Sequence, residues 1–171
     1  RGGIGGQVLI VDVSTSRLLG TVDGSRAKTS VYPGAVYLHQ GESFVVDELD
    51  LDEKLALTHP EEPDWTTSPR EISDVQIVET VESAAYGPLT VSLAQVLVTN
   101  QVVGYLRKAF SGEILDSVPL DLPEEQLDTR AVMYTLDPDT LVAAGIDVED
   151  FPGALHAAEH AAIGMLGLVA T

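Results

Sequence analysis
The sequence predicts an α+β chain that is mostly β. A small antiparallel barrel of the SH3-like or OB-like kind is expected over residues 1–70. A long-hairpin β region with one or two C-terminal helices is expected over 71–171. Three observations predict this. Short β-branched runs broken by turn residues fill the first part of the chain. Two much longer apolar runs flank a Tyr86-Gly87-Pro88 reversal, and Ala- and Leu-rich helical patterning is confined to the end.

Gln7-Val8-Leu9-Ile10-Val11-Asp12-Val13 reads as a strand, Ser14 to Arg17 as a turn, and Leu18-Leu19-Gly20-Thr21-Val22 as its hairpin partner. The Pro33-Gly34 turn leads into Val36-Tyr37-Leu38-His39, and Gln40-Gly41-Glu42 turns into Ser43 to Leu49. Lys54 to Thr58 follows an acidic turn. Closing these strands into a barrel would remove the exposed edges that many short strands create. Residues 60–70, with three prolines, read as a linker in which Trp65 anchors the segment to the barrel, a base-stacking platform being the alternative.

Val75 to Val81 and Leu89 to Lys108 form the two long strands. Ser111-Gly112-Glu113 turns into Ile114 to Leu120, and Thr129 to Leu136 is a further strand. Asp137 caps a short helix with Pro138 at its first position, and Gly145 ends it. From Pro152 to about Val169 a second helix is apolar nearly all round, which predicts that it is buried. The start at Arg1 without methionine and the apolar finish from Ile163 to Val169 read as cut ends.

The charge is lopsided, with 27 acidic residues against 9 basic and a formal net of −18. Phosphate backbones repel such a chain, since nucleic-acid affinity comes largely from Lys and Arg displacing counterions. Residues 1–40 are the exception: Arg1, Arg17, Arg26 and Lys28 face only Asp12 and Asp23. There is no cysteine, hence no disulfide framework or thiolate metal site, which suits a reducing cytosol. No apolar run reaches the about 20 residues of a membrane-spanning helix.

His156-Ala157-Ala158-Glu159-His160 matches the H-x-x-E-H pattern of inverted zinc proteases. Such a site needs a third ligand downstream, and the eleven residues after His160 contain neither His nor an acid. These three side chains are therefore read as polar groups on an Ala-rich helix, and no metal is expected. The glycines of residues 1–6 lack the G-K-[ST] of a phosphate loop, and the acids from Asp47 to Glu53 lack calcium-loop spacing. No G-x-S-x-G and no Cys nucleophile are present, so no catalytic residue is assigned. For nucleic-acid contact the candidates are Arg26, Lys28, Arg107, Lys108 and Tyr105; plain surface exposure is the alternative.

Tyr32-Pro33-Gly34-Ala35-Val36-Tyr37-Leu38-His39-Gln40-Gly41-Glu42-Ser43-Phe44-Val45-Val46 resembles a segment of the mitomycin-repair, RecQ4-like branch of superfamily 2 DEAD/DEAH-box DNA helicases. Leu18-Leu19-Gly20-Thr21-Val22-Asp23 with Ala27 resembles the element before it. Gly153 to Ala161 resembles the helix leading into that family's zinc-binding C-terminal domain. The resemblance implies a non-catalytic accessory segment of an ATP-dependent 3′–5′ helicase acting in DNA repair. It implies ATP with magnesium and a structural zinc in the parent, none in this segment. Its implied partners are single-stranded or forked DNA, reached through the parent, and the parent's own motor and zinc-binding domains. Family members usually carry a proline near the end of the terminal helix, where Gly167 or its neighbours stand here. Two rival readings remain open, an acidic protein-interaction module and a zinc metallohydrolase.

Overall fold
The computed structural model describes residues 6–169, with side chains to residue 165; the glycines at 1–5 lie outside the described residues. Nine strands and three α-helices follow in order. They are β1 (Gln7–Asp12), β2 (Arg17–Asp23), α1 (Gly24–Ser30), β3 (Val36–His39), β4 (Glu42–Asp50), β5 (Leu55–Pro60), β6 (Trp65–Tyr86), β7 (Leu89–Ala109), β8 (Ile114–Pro119), β9 (Glu125–Leu136), α2 (Pro138–Ala143) and α3 (Phe151–Val169). The chain is thus α+β and mostly β, as its patterning predicts.

Contacts divide it into two units, Arg1–Val75 with Val98–Leu127 and Gln76–Leu97 with Asp128–Thr171. This grouping differs from the boundary expected at residue 70, because two stretches of the later chain join the first core. In the first unit the strand order is β2-β1-β5-β4-β3. The antiparallel barrel expected here is corrected in one respect: β1 and β5 run parallel, with Leu9 opposite Leu55 and Asp12 opposite Thr58. Such a pairing joins strands more than forty residues apart and leaves no local sequence signature.

Alternation places the core. Val8, Ile10 and Asp12 point inward from β1, Phe44 and Val46 from β4, and Ala56 and Thr58 from β5. Asp12 is satisfied at once, accepting from Ser14 N at 2.9 Å, Ser14 Oγ at 2.7 Å and Thr15 Oγ1 at 2.5 Å. Those hydroxyl bonds, Thr15 first, hold its carboxyl below the usual carboxylate range. Val102, Tyr105 and Leu122 complete the core from β7 and the loop after β8.

Helix α1 has no counterpart in the sequence reading. Asp23 caps it, accepting from Ser25 N at 2.9 Å, and Ala27 on its inner side is fully buried. The expected linker is another correction: β5 runs to Pro60 and β6 starts at Trp65, so Pro69 lies within a strand. Among the described residues strand β6 is an edge, with β7 as its only neighbour in the order β6-β7-β8. An edge strand accommodates proline because half of its N–H groups need no partner.

The second unit holds the distal halves of β6 and β7, most of β9, and the two C-terminal helices. Asp137 caps α2 as expected, accepting from Asp139 N at 3.0 Å, and Gly145 beyond it takes a left-handed φ of 81°. The burial expected for α3 is not found. Leu155, Ile163 and Met165 are 46%, 56% and 61% exposed.

Candidate nucleic-acid interface
The Tyr32-Pro33-Gly34-Ala35 turn is built into the first core. Tyr32 and Ala35 are buried, Gly34 N donates to Val46 O at 2.7 Å, and Val46 N donates to Ala35 O at 3.0 Å. Gly34 takes a φ of 88°, and the space a Cβ would occupy is filled by the Tyr105 phenol. Tyr105 also lies 5.3 Å from Tyr32, ring to ring. Burial raises the Tyr32 phenol pKa above its ordinary value, partly offset by a hydrogen bond with Thr67. The motif therefore fastens β7 to the small sheet, and Tyr105 is spent on that task.

Two residues along β7, Arg107 lies with its guanidinium carbon 5.4 Å from the centre of the Trp65 ring. Its Nε donates to Asp116 Oδ1 at 2.8 Å, and its Nη2 bonds the second carboxylate oxygen. The pairing lowers the Asp116 pKa and raises that of Arg107, the mutual hydrogen bond being the main cause in each case. A register shift between Arg107 and Lys108 aligns Lys108 with Ile114 on β8. As consecutive strand residues, Arg107 and Lys108 point to opposite faces. Arg70 on β6, exposed, donates to Ser117 Oγ on β8 at 3.1 Å. Trp65 and Arg107 thus share one face at this end of the β6-β7-β8 sheet, and Arg70 and Lys108, at alternate strand positions, lie on the other.

The other two candidates separate. Arg26 is exposed on α1. Lys28 is buried, its Nζ donating to Pro123 O at 2.8 Å and paired with Glu125 at 3.1 Å. It fixes the segment before β9 and offers nothing to a phosphate. A cleft lined by Asp12, Arg17, Glu42, Phe44, Glu61 and Glu62 is acidic, and its one cation is tied to Glu42 at 2.9 Å. Phosphate would be repelled there.

Sequence reasoning missed one charged arrangement. His59 on β5 bridges Asp47 through Nδ1 and Glu61 through Nε2, each at 2.8 Å. Asp47 is the extra residue where the β4–β5 register shifts between Val46 and Glu48. Its only sequence signal was Glu61, two positions from His59. The Asp47 hydrogen bond first, and then that to Glu61, raise the His59 pKa above its ordinary value.

On α3, the His156 and His160 Nε2 atoms lie 3.2 Å apart, and Glu159 approaches His156 from the other ring nitrogen, 3.6 Å from Nδ1. The three groups do not converge on one point. Among the described residues no three His, Cys, Asp or Glu side chains are gathered for a metal. With no cysteine in the chain, the donor set does not fit a structural zinc, and no G-K-[ST] is present to hold a nucleotide. Among the described residues, no helix is long and apolar enough to cross a membrane.

No protein-family model matches the chain. It is 26% identical over 170 residues to the ATP-dependent helicase HRQ1 of Saccharomyces cerevisiae, covering 97% of this chain and 16% of that protein. It is 25% identical over 162 residues to the ATP-dependent helicase hrq1 of Schizosaccharomyces pombe, covering 92% of this chain and 15% of that protein. Against the uncharacterized ATP-dependent helicase YprA of Bacillus subtilis the identity is 29% over 127 residues, 70% of this chain and 16% of that one. The DUF1998 helicase MrfA bound to DNA superposes with a TM-score of 0.68 at 25% identity, over 77% of this chain and 18% of its own. MrfA bound to DNA and AMPPNP gives 0.60 at 26% identity, over 74% and 16%. The chain therefore spans about a sixth of the length of the curated relatives it matches. Sequence and structure agree that its homologues are ATP-dependent helicases of the Hrq1 and YprA kind, with the DUF1998 helicase MrfA as its structural neighbour.

Proposed function
We propose that this chain is a non-catalytic accessory segment, from the C-terminal region, of an ATP-dependent 3′–5′ DNA helicase that acts in DNA repair. The observation that carries the reading is a match along 97% of this chain to only 16% of an ATP-dependent helicase. ATP and magnesium would act in the parent's motor and zinc in its neighbouring domain. A cytoplasmic setting belongs to the same reading.

The segment's share of the work is to support the DNA path. Trp65 offers an aromatic face on which a base can stack, which is worth about 1–3 kcal/mol per base and tolerates any sequence. Arg107, half neutralised by Asp116, stiffens that face more than it attracts phosphate. Lys108 and Arg70 supply charge from the opposite face of the same sheet end. The expected partner is single-stranded or forked DNA already held by the motor, since a net charge of −18 gives the segment little attraction of its own. That same charge favours a second reading, an acidic module that binds protein.

The test is ATP hydrolysis measured on the isolated chain and on the longer helicase that contains it. Hydrolysis stimulated by DNA is expected only in the longer protein. Turnover by the isolated 171 residues would overturn the non-catalytic assignment.

A further inference from the structure
Strand β6 is 22 residues long and hydrogen-bonds to β7 alone, so its outer edge carries a row of backbone N–H and C=O groups without a strand partner among the described residues. Its distal part, Gln76–Tyr86, lies within the second unit and spans about 36 Å at 3.3 Å per residue. Long edges are ordinarily blunted by lysine, proline or a bulge. Gln76-Ile77-Val78-Glu79-Thr80-Val81-Glu82-Ser83-Ala84-Ala85-Tyr86 contains no Lys, Arg or Pro, and its only charges are Glu79 and Glu82. Ile77, Val78 and Val81 are 51%, 62% and 49% exposed, and their positions alternate, so both faces of the edge are apolar and bare.

We propose that this edge accepts an extended, basic segment of another protein by strand addition. The inference is independent of the helicase reading. Charge selects the occupant. The second unit contains nine acidic side chains and one basic one, Arg130, and Arg130 lies on β9 rather than on the β6 edge. Glu79 and Glu82, three residues apart on a strand, project to opposite faces, one carboxylate above the edge and one below. A second copy pairing edge to edge would bring the same carboxylates together, and like charges across a strand pair oppose each other. Nucleic-acid phosphates are repelled for the same reason. A strand with Lys or Arg three residues apart and β-branched residues between them meets both carboxylates and covers Ile77, Val78 and Val81.

The 171-residue chain, isotopically labelled, is titrated with the capped peptide Thr-Val-Thr-Lys-Val-Thr-Lys-Val-Thr, and amide shifts and exchange are followed. Saturable binding with new protection confined to alternate amides of Gln76–Tyr86 is expected. Replacing both peptide lysines by glutamate weakens binding about tenfold, and Glu79→Lys with Glu82→Lys in the chain reverses that preference. The same basic peptide N-methylated at alternate backbone nitrogens keeps its charge but cannot extend the sheet, so it must fail to bind. Equal binding by the methylated peptide would reduce the effect to general attraction and overturn strand addition. Protection mapped elsewhere would overturn it too, as would concentration-dependent self-association through β6, or displacement of the peptide by a single-stranded oligonucleotide.

Discussion

A Cβ placed on Gly34 would lie 2.6 Å from Tyr105 Cζ, so the left-handed turn before β3 and the ring from β7 occupy one another's space. Gly34→Ala combines a φ of 88° with that overlap, and a loss of about 2–4 kcal/mol is expected. In a Tyr105→Leu background the steric part disappears. The alanine should then cost only about 1–2 kcal/mol, the backbone share. Urea unfolding of the four proteins in the cycle measures the coupling; strictly additive losses would mean the two residues do not meet.

Arg26 and Lys28 look alike in the sequence yet should answer substitution oppositely. Lys28→Ala leaves Pro123 O and Glu125 without their partner, and about 1–3 kcal/mol is lost. Arg26→Ala, at an exposed helix position, changes stability by no more than about 0.5 kcal/mol. Thermal unfolding of both variants decides this, and equal losses would contradict the burial assigned to Lys28.

The Asp47–His59–Glu61 bridge makes stability depend on pH. Because the folded state raises the His59 pKa above its ordinary value, the folded protein binds the proton more tightly than the unfolded chain. Its contribution is therefore full below about pH 6.5, the unfolded value, and is lost as pH rises through the raised folded value. His59→Gln should lower the urea midpoint at about pH 6 and match the parent at about pH 9. A gap that persisted unchanged to high pH would show that the imidazolium is not what holds the bridge.

The helix pair His156 and His160 should bind zinc no more tightly than about micromolar, since Glu159 faces the wrong ring nitrogen to complete a site. Calorimetric titration checks this. A sub-micromolar site abolished by His160→Ala would reinstate the metal reading.

Legibility in the sequence followed the range of the interactions. The β1–β2 hairpin, the Tyr86-Gly87-Pro88 reversal and the Asp137 cap are local, and Gly87 takes the left-handed φ of 62° that such a turn requires. The parallel β1–β5 pair is nonlocal and carries no local mark. Helix α1 is seven residues long, too short for a helical period to emerge. The prolines between 60 and 70 suggested a linker because proline removes a donor; an edge strand does not need that donor at Pro69. The apolar α3 suggested burial, but apolar composition alone does not say which element packs on a helix, and Leu155, Ile163 and Met165 are exposed. At the site, composition picked out the basic residues without their surroundings. Arg26 and Lys28 stand two positions, about 200°, apart around α1, so one faces solvent and the other the interior. That Arg107 meets Trp65 depends on the β6–β7 register, which no single stretch of sequence encodes.

On the proposed reading, this segment supports the DNA path of a helicase without sharing in ATP hydrolysis. The most direct test is the ratio of strand separation to DNA-stimulated ATP hydrolysis in the full helicase, with Trp65→Ala and Lys108→Ala combined. Losing one stacked base and one phosphate contact should lower unwinding about tenfold or more while hydrolysis is retained. Unwinding that stays coupled to hydrolysis at the parent ratio would contradict the account.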